Sequence, residues 1–460
     1  YPQTFYDTNG DGIGDIPGII QKLDYIQSLG VNAIWLNPCF DSPFGDAGYD
    51  VRDFYRVAPR YGTNEDLQKL FQEAHQRGIH VVLDLVAGHT SIEHPWFVQS
   101  SRHESNVYSD WFIWTGSVWE QAPEGMTTIR GMAERDSGFV PNFFYFQPAL
   151  NYGFAHPDPR YPWQMPVDAP GPQAVRAEMQ KIMRFWLDMG ADGYRVDMAS
   201  SLVKNDPEFK AVSQYWQEIR GWMDQNYPEA VLIAEWSNPS QAIPAGFHID
   251  FYIHFNVNGY TSLFRRQQGI LKTAHQVDGI PSYFDREGAG NIHEFVSEYA
   301  QQYQKTKNLG YISLPSGNHD ISPRMAQNRD LRDLELVYLF LLTLPGIPFI
   351  YYGDEIAMRS VEGLPSKEGG YERTAVRTPM QWDSSQNAGF STADPGLLYL
   401  PMDPEPDRPT VELAQKDPSS LLNTIRRLIA LRKSHPALGS DGNIEFVYAQ
   451  TNRYPLIYKR

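Results

Sequence analysis

One cysteine in 460 residues, Cys39, cannot form a disulfide within the chain. No covalent framework organises the fold, and the redox compartment stays open. Positive charge is also scarce: 39 Lys and Arg face 55 Asp and Glu, a formal net charge of −16. A nucleic-acid partner is therefore disfavoured, since phosphate binding draws on a Lys/Arg excess. Long apolar runs are missing. The best, Leu336 to Tyr352, is broken by Pro345, Gly346 and Pro348 and reads as a helix, a loop and a buried strand, not a membrane span. No signal peptide is visible, but Tyr1-Pro-Gln-Thr-Phe5 begins as if inside a strand and Tyr454 to Arg460 stops in strand-like sequence. Both ends read as cut, so compartment is left open, with a soluble cytoplasmic setting preferred. Oligomeric state is not legible.

What is present is a chain with 42% hydrophobic and 13% aromatic residues, enough for a large core and more than one domain. Short apolar strands alternate with amphipathic helices. Strands are predicted at Pro2 to Tyr6, Val31 to Leu36, Ile79 to Val86, Ala191 to Val196, Val231 to Glu235, Ile249 to His254, Tyr311 to Leu314 and Pro348 to Tyr352. Helices between them carry apolar residues at helical spacing, such as Leu67, Leu70, Phe71 and Ala74 after the cap-like Thr63-Asn-Glu-Asp66. Eight mostly buried strands between helices predict an α/β fold, a closed (β/α)8 TIM barrel. A doubly wound open sheet is second, because no Gly-rich phosphate turn follows the first strand. From His89 to Gly171 the alternation lapses into Trp-, Tyr-, Phe- and Pro-rich sequence, too long for a loop. The domains are thus a barrel over 1–89 and 172–435, an inserted subdomain over 90–171, and the start of an all-β domain over 436–460.

A barrel places its chemistry at the C-terminal ends of its strands. Those ends carry Asp84 and His89, Arg195 and Asp197, Glu235, then His319 and Asp320, with Gly353-Asp-Glu355 after the last. Arg195 and Asp197, two apart, share one side of their strand. Such a pair alone is equally a salt bridge or part of a site; acids converging from several strands point to a site. Clustered carboxylates serve either a divalent metal or glycoside hydrolysis. A cation beside Asp197 argues against a metal there and for a carboxylate kept ionised, as a nucleophile needs. The aromatic residues of the insertion suit sugar faces, and equally a subdomain core.

At these clusters the chain resembles the α-amylase superfamily of retaining α-glycosidases, in register along nearly its whole length. Gly193-Tyr-Arg-Val-Asp197 is similar to the nucleophile motif, which implies attack by Asp197 with Arg195 orienting it. Ile233-Ala-Glu235 implies Glu235 as acid/base. Asn318-His-Asp320 implies Asp320 as transition-state stabiliser, with His319 beside it, and His89 as a contact to the same sugar. Gly45-Asp-Ala-Gly-Tyr-Asp50 resembles the loop that supplies a stacking Tyr49 and a pocket acid. Arg377-Thr-Pro-Met-Gln-Trp382 resembles a segment of α-glucosidases, oligo-1,6-glucosidases, trehalose synthases and amylosucrases. By position, Asp46 and Arg377 would form the ion pair that closes the pocket behind a terminal sugar. The resemblance implies exo action on short malto-oligosaccharides, with an endo-acting amylase or a trehalose synthase- or amylosucrase-type transglycosylase as alternatives. A non-enzymatic relative would have lost one of the three acids, and all are present. Departures from the family pattern stand out at Gly88 and Met198, with Trp236 after the acid/base as a third position of interest on the acceptor side, and separately at Ala149. Gly88 stands where amylases commonly have a calcium-binding Asn before the His, which argues against an interdomain calcium site. Met198 follows the nucleophile where α-1,6-specific relatives often carry Val, which tilts the reading toward α-1,4 linkages. Ala149 in Gln147-Pro-Ala-Leu-Asn151 stands where the family usually has Asp.

Near the N-terminus, Asp7-Thr-Asn-Gly-Asp-Gly-Ile-Gly-Asp15 sets oxygen ligands at alternate positions, like the first part of an EF-hand loop, though Gly18 stands where the bidentate Glu would be. Read as a site, Asp7, Asn9, Asp11, Asp15 and the Ile13 carbonyl would hold a structural Ca²⁺, or Mg²⁺. Read otherwise, the loop is an acidic turn in which Asp15 caps the first helix. Relatives that cleave oligosaccharides carry a similar loop and bind a metal there. No catalytic cofactor is implied.

Overall fold

Seven short strands, β1 (Ala33–Leu36), β2 (His80–Leu85), β3 (Gly193–Val196), β4 (Val231–Ala234), β5 (Ile249–Phe251), β6 (Tyr311–Pro315) and β7 (Ile347–Phe349), make one sheet in a computed structural model of the chain. The structure describes residues 1–252, 258–265, 282–286, 291–451 and 453–460. Every neighbouring pair is parallel, and order in space follows order in sequence. The sheet curls. Trp35 of β1 and Phe251 of β5 stand four strands apart, about 19 Å in a flat sheet, yet their rings are 5.3 Å apart. Phe251 also meets Phe349 of β7 at 4.9 Å. These rings, with Val82, Ile233 and Ile249, fill the interior of the curl, as side chains fill a (β/α) barrel.

Helices cover the outside because their apolar stripes have nowhere else to go. Helix Asn64–Gln76 buries Leu67, Leu70, Phe71 and Ala74 and opens with the capping box foreseen at Thr63, Asp66 standing in for Glu. Helix Pro170–Met189 buries Val175, Met179, Ile182, Met183 and Trp186 and stops at Gly190, whose φ of 116° suits only glycine. Between β2 and that helix the chain makes one short helix, Pro95–Ser100, and isolated bridges such as Trp114 with Phe139. At the far end Glu445–Gln450 and Arg453–Lys459 form an antiparallel hairpin. Among the described residues no helix is long and apolar enough to cross a membrane.

One predicted strand is not there. Pro2–Thr4 is a turn of 3₁₀ helix, closed by Thr4 N–H to Tyr1 O and Phe5 N–H to Pro2 O. Its burial mimics a strand, but Pro2 has no N–H for a ladder and its fixed φ favours a helical start. The strand expected over Ile249 to His254 is seen as Ile249–Phe251; Ile253 and His254 lie outside the described residues.

Candidate active site

The ends of β2, β3 and β4 are neighbours in the sheet, so Asp84, Arg195, Asp197 and Glu235 must meet. Asp84 stands opposite Arg195 in the β2–β3 register. Arg195, 2% exposed, spreads its guanidinium over three carboxylates. Nη1 lies 2.9 Å from Asp84 Oδ1 and 2.9 Å from Asp197 Oδ1, and Nη2 lies 2.9 Å from Glu235 Oε1. Asp84 is tied down further by the Trp35 Nε1–H at 3.1 Å and the Tyr49 hydroxyl at 2.9 Å. It therefore anchors the arginine and offers nothing to a ligand.

Burial sets the electrostatics. It raises Asp197 above the ordinary carboxylate range; Arg195 and a side-chain hydrogen bond shared with Glu235 pull the other way and favour its anion. Glu235 is pushed up to about 8, by burial first, with Arg195 opposing and Asp197 adding to the rise. Adjacent acids separated in this way form a proton donor and an anion.

Two backbone devices hold Glu235. Met198, directly after Asp197, has a φ of 44°, a left-handed conformation costly for a side chain with a Cβ. The turn aims the Met198 N–H at Glu235 Oε2, 2.8 Å away. Behind Glu235, fully buried Asp250 of β5 accepts the backbone N–H groups of Trp236 at 3.1 Å and Ser237 at 3.3 Å, fixing the loop that leaves the acid. The role of Asp250 was not legible in sequence, where it is one more acid in a strand.

The remaining predicted residues lie next to this cluster. Tyr49 stacks on His319, centroids 5.3 Å apart and planes 9° off parallel. Asn37 donates to Tyr49 Oη and to His319 Nδ1, at 3.1 and 3.0 Å. The second bond leaves the His319 proton on Nε2, 3.2 Å from Asp320 Oδ2. Burial keeps His319 well below its usual pKa, hence neutral. Burial would raise Asp320 too, but His319, Arg373 and Arg377 hold it far below the carboxylate range. With His319 neutral, the two arginines carry that effect.

The expected Asp46–Arg377 ion pair is not what forms. Arg377 donates to the His319 carbonyl at 2.9 Å and lies 3.2 Å from Asp320 Oδ1. Arg373, which sequence reading missed, lies 2.7 Å from the same Asp320 oxygen and 3.8 Å from Asp46 Oδ1. Gln147 donates to Asp46 Oδ2 at 2.8 Å. Arg373 sits in the 3₁₀ segment Tyr371–Val376 and Arg377 follows it; one turn of tight helix decides which guanidinium reaches Asp46. Asp46, Arg373, Asp320 and Arg377 still form a single charged network.

His89 is 1% exposed and both its nitrogens are engaged, Nε2 with the Tyr49 carbonyl at 3.0 Å and Nδ1 with Asn142 Nδ2 at 3.1 Å. Burial lowers it to about 4, so it is neutral. A Cβ on Gly88 would lie 2.7 Å from Asn142 Nδ2, so Asn142 uses the space a side chain at 88 would need. The Lys204 ammonium bonds Asn142 Oδ1 at 3.2 Å and the Ser201 carbonyl at 2.6 Å, which puts a cation of the chain itself behind His89.

Away from the cleft, the N-terminal loop is shaped by its own side chains. Asp7 accepts from the N–H of Asn9, Gly10 and Gly12 and from the Ser391 hydroxyl. Asp15 caps helix Ile16–Gln21 through Gly18 N–H and also holds Thr8. Asn9 and Asp11 each accept one backbone N–H. A carboxylate has about four acceptor positions. Asp7 has spent all of its own, whereas Asn9, Asp11, Asp15 and the Ile13 carbonyl retain the hard oxygen donors a Ca²⁺ ion takes.

Comparison with known proteins places the chain in a family. Residues 1–441 match the family model described as alpha amylase, catalytic domain. The chain is 34% identical to the trehalose synthase/amylase TreS of Mycobacterium tuberculosis over 474 residues, covering 95% of this chain and 74% of that protein. It is 30% identical to the oligo-1,6-glucosidase of Parageobacillus thermoglucosidasius, covering 95% and 82%. Its fold superposes on the isomaltulose synthase of Erwinia rhapontici NX5 with a TM-score of 0.77, at 26% identity, covering 97% of this chain and 84% of that one. A parallel (β/α) sheet curled round an apolar interior, three acids sharing one arginine at its rim, and a family match over almost all residues lead to one assignment: the chain belongs to the α-amylase family of retaining glycosidases and transglycosylases.

Proposed function

We propose that the enzyme acts on the chain end of short α-glucosidic oligosaccharides, malto-oligosaccharides first, by double displacement through a β-glucosyl-enzyme. The observation that supports exo action is the linked network of Asp46, Gln147, Arg373, Arg377 and Asp320, which in this reading walls off one end of the sugar site. Only a terminal sugar fits against such a wall. Asp197 attacks the anomeric carbon while protonated Glu235 gives its proton to the leaving oxygen; Glu235, now a base, then takes a proton from the incoming hydroxyl. Asp320, kept ionised by its arginines, receives sugar hydroxyls and faces the positive charge that develops. A specific second reading is transfer to a sugar instead of water, favoured by the similarity to trehalose synthase/amylase TreS. Product analysis over time on maltose, isomaltose, sucrose, trehalose and starch separates the cases. Free glucose from maltose supports hydrolysis, trehalose from maltose supports isomerisation, and long oligomers from starch overturn the exo reading.

The pH profile should be a bell. Glu235 must be protonated and Asp197 ionised. Activity therefore falls as pH rises through about 8, where Glu235 loses its proton. It falls again at an acid limb above the usual carboxylate range, because burial raises Asp197. A basic limb in kcat/KM that stays in place in Glu235→Gln would contradict the assignment.

The N-terminal loop is proposed as a structural Ca²⁺ site of Asn9, Asp11, Asp15 and the Ile13 carbonyl, with Asp7 as the organiser that must give up a hydrogen bond to join. Adding Ca²⁺ to chelator-treated protein should raise Tm, and Asp11→Ala should abolish the rise. Chelation that alters neither Tm nor metal content refutes the site.

A further inference from the structure

The end of the sheet opposite the acids carries a second group of ligand-bearing side chains, unrelated to the reaction. His75 lies in the last turn of helix Asn64–Gln76, His80 opens β2, and Asp192 immediately precedes β3. His75 Nε2 is 2.7 Å from Asp192 Oδ2, and His80 Nδ1 is 2.9 Å from Asp192 Oδ1. One ligand atom from each residue falls within 4.8 Å of the others, and among the described residues this is the one such trio of His, Cys, Asp or Glu.

We propose that His75, His80 and Asp192 bind a divalent transition metal of borderline softness, Zn²⁺ in particular. Two imidazoles and a carboxylate form a donor set that Zn²⁺ favours and that Ca²⁺ and Mg²⁺, which take oxygen ligands, do not. The dimensions are close. Tetrahedral ligands about 2.0 Å from zinc stand about 3.3 Å apart, so the two N···O contacts, one to each Asp192 oxygen, need to open by about half an ångström, and the two imidazole nitrogens, within 4.8 Å of each other, need to come to the same spacing. The imidazoles have room to do so, with side-chain exposures of 42% for His75 and 59% for His80.

The framework beneath them is fixed. Asp192 Oδ2 also accepts the Val81 N–H at 2.7 Å, the Asp192 N–H bonds the Val81 carbonyl, and the Asp192 carbonyl accepts Val231 N–H. The guanidinium of Arg77, next to the helix end, is engaged by Asp24 and Glu73, so its charge opposes an incoming cation less. Three protein ligands leave a fourth position for water. The ion would clip the end of a helix to the starts of two strands. Asp84 and Arg195 lie further along those strands; on β2, Asp84 is four residues, or about 13 Å, beyond His80. The role is structural, at the rim remote from the sugar.

The test is Zn²⁺ titration of the chelator-treated, dialysed chain by calorimetry, repeated with Co²⁺ for its visible absorption. Expected is one equivalent bound and a raised Tm, with His75→Ala and His80→Ala each at least about tenfold weaker and folded by circular dichroism. The Asp197→Asn/Glu235→Gln double variant should bind as the parent does, which separates this site from the acid cluster. Saturating Ca²⁺ should not compete, which separates it from the N-terminal loop. Absence of equimolar binding, or binding that neither histidine variant weakens, overturns the proposal.

Discussion

Asp197→Asn should reduce kcat at least about a thousandfold while the enzyme still binds substrate, since removal of a covalent nucleophile costs orders of magnitude. The substitution is nearly isosteric. The Asn oxygen can still accept from Arg195 Nη1, which now lies 2.9 Å from Asp197 Oδ1, so the fold and the sugar contacts survive. What is lost is the anion that attacks carbon. Glu235→Gln should fall comparably on maltose, for the other reason: Gln cannot deliver a proton. An aryl glucoside distinguishes the roles. A nitrophenolate leaves without a proton, so the first step in Glu235→Gln should recover while Asp197→Asn stays inactive. Rates within about threefold of the parent for either variant on maltose would remove that residue from the chemistry.

Arg195→Ala should damage stability as much as activity. Its guanidinium is the cation that Asp84, Asp197 and Glu235 share; Asp84, Asp197 and Arg195 are buried and the Glu235 side chain is 12% exposed. Breaking a buried ion pair by deleting one partner typically costs about 3–5 kcal/mol, because a charge is left without compensation. The pH dependence identifies the cause. Burial already raises Asp84, Asp197 and Glu235 above their ordinary values, so the folded state binds more protons than the unfolded one. Stability from these groups therefore declines as pH rises. Without Arg195 the folded values rise further and the decline steepens, so the gap in Tm between parent and variant should widen from pH 5 to pH 9. A gap that is constant with pH would mean lost packing against the Trp35 ring, 5.0 Å from the guanidinium carbon. Arg195→Lys should recover only part, because one ammonium cannot present two edges to three carboxylates.

Much of this site is legible in the sequence, for a definite reason. A parallel strand gives its last residues to one rim, so acids at the ends of β2, β3, β4 and β6 had to converge once the alternation was recognised. The two-residue step from Arg195 to Asp197 fixed which side they shared. What stayed hidden depends on where loops go. Arg373 and Arg377 are one turn apart, and nothing in their spacing tells which one comes near Asp46. Asp250 looks like any strand acid until its oxygen is seen under the N–H groups of Trp236 and Ser237. Pro2–Thr4 is buried like a strand and turns like a helix, and burial alone does not separate the two. Lys204 gives no motif signal; it matters because the loop after Asp197 brings it to Asn142.

The left-handed turn at Met198 changes how substrate preference can be re-engineered. The expectation that the residue after Asp197 bears on linkage invites exchange of one side chain for another, as if the backbone were a neutral carrier. Here the carrier is under tension: a φ of 44° is tolerable for glycine or asparagine and poor for a β-branched residue. A mutant library at 198 would therefore sort by conformational tolerance before it sorts by size. Valine would tend to pull the peptide out of the turn and withdraw the N–H from Glu235 Oε2, confounding a change of acceptor preference with a weaker acid. Glycine would remove the Met198 side chain and leave the N–H on Glu235 Oε2 in place, which makes it the cleaner starting point for directed evolution.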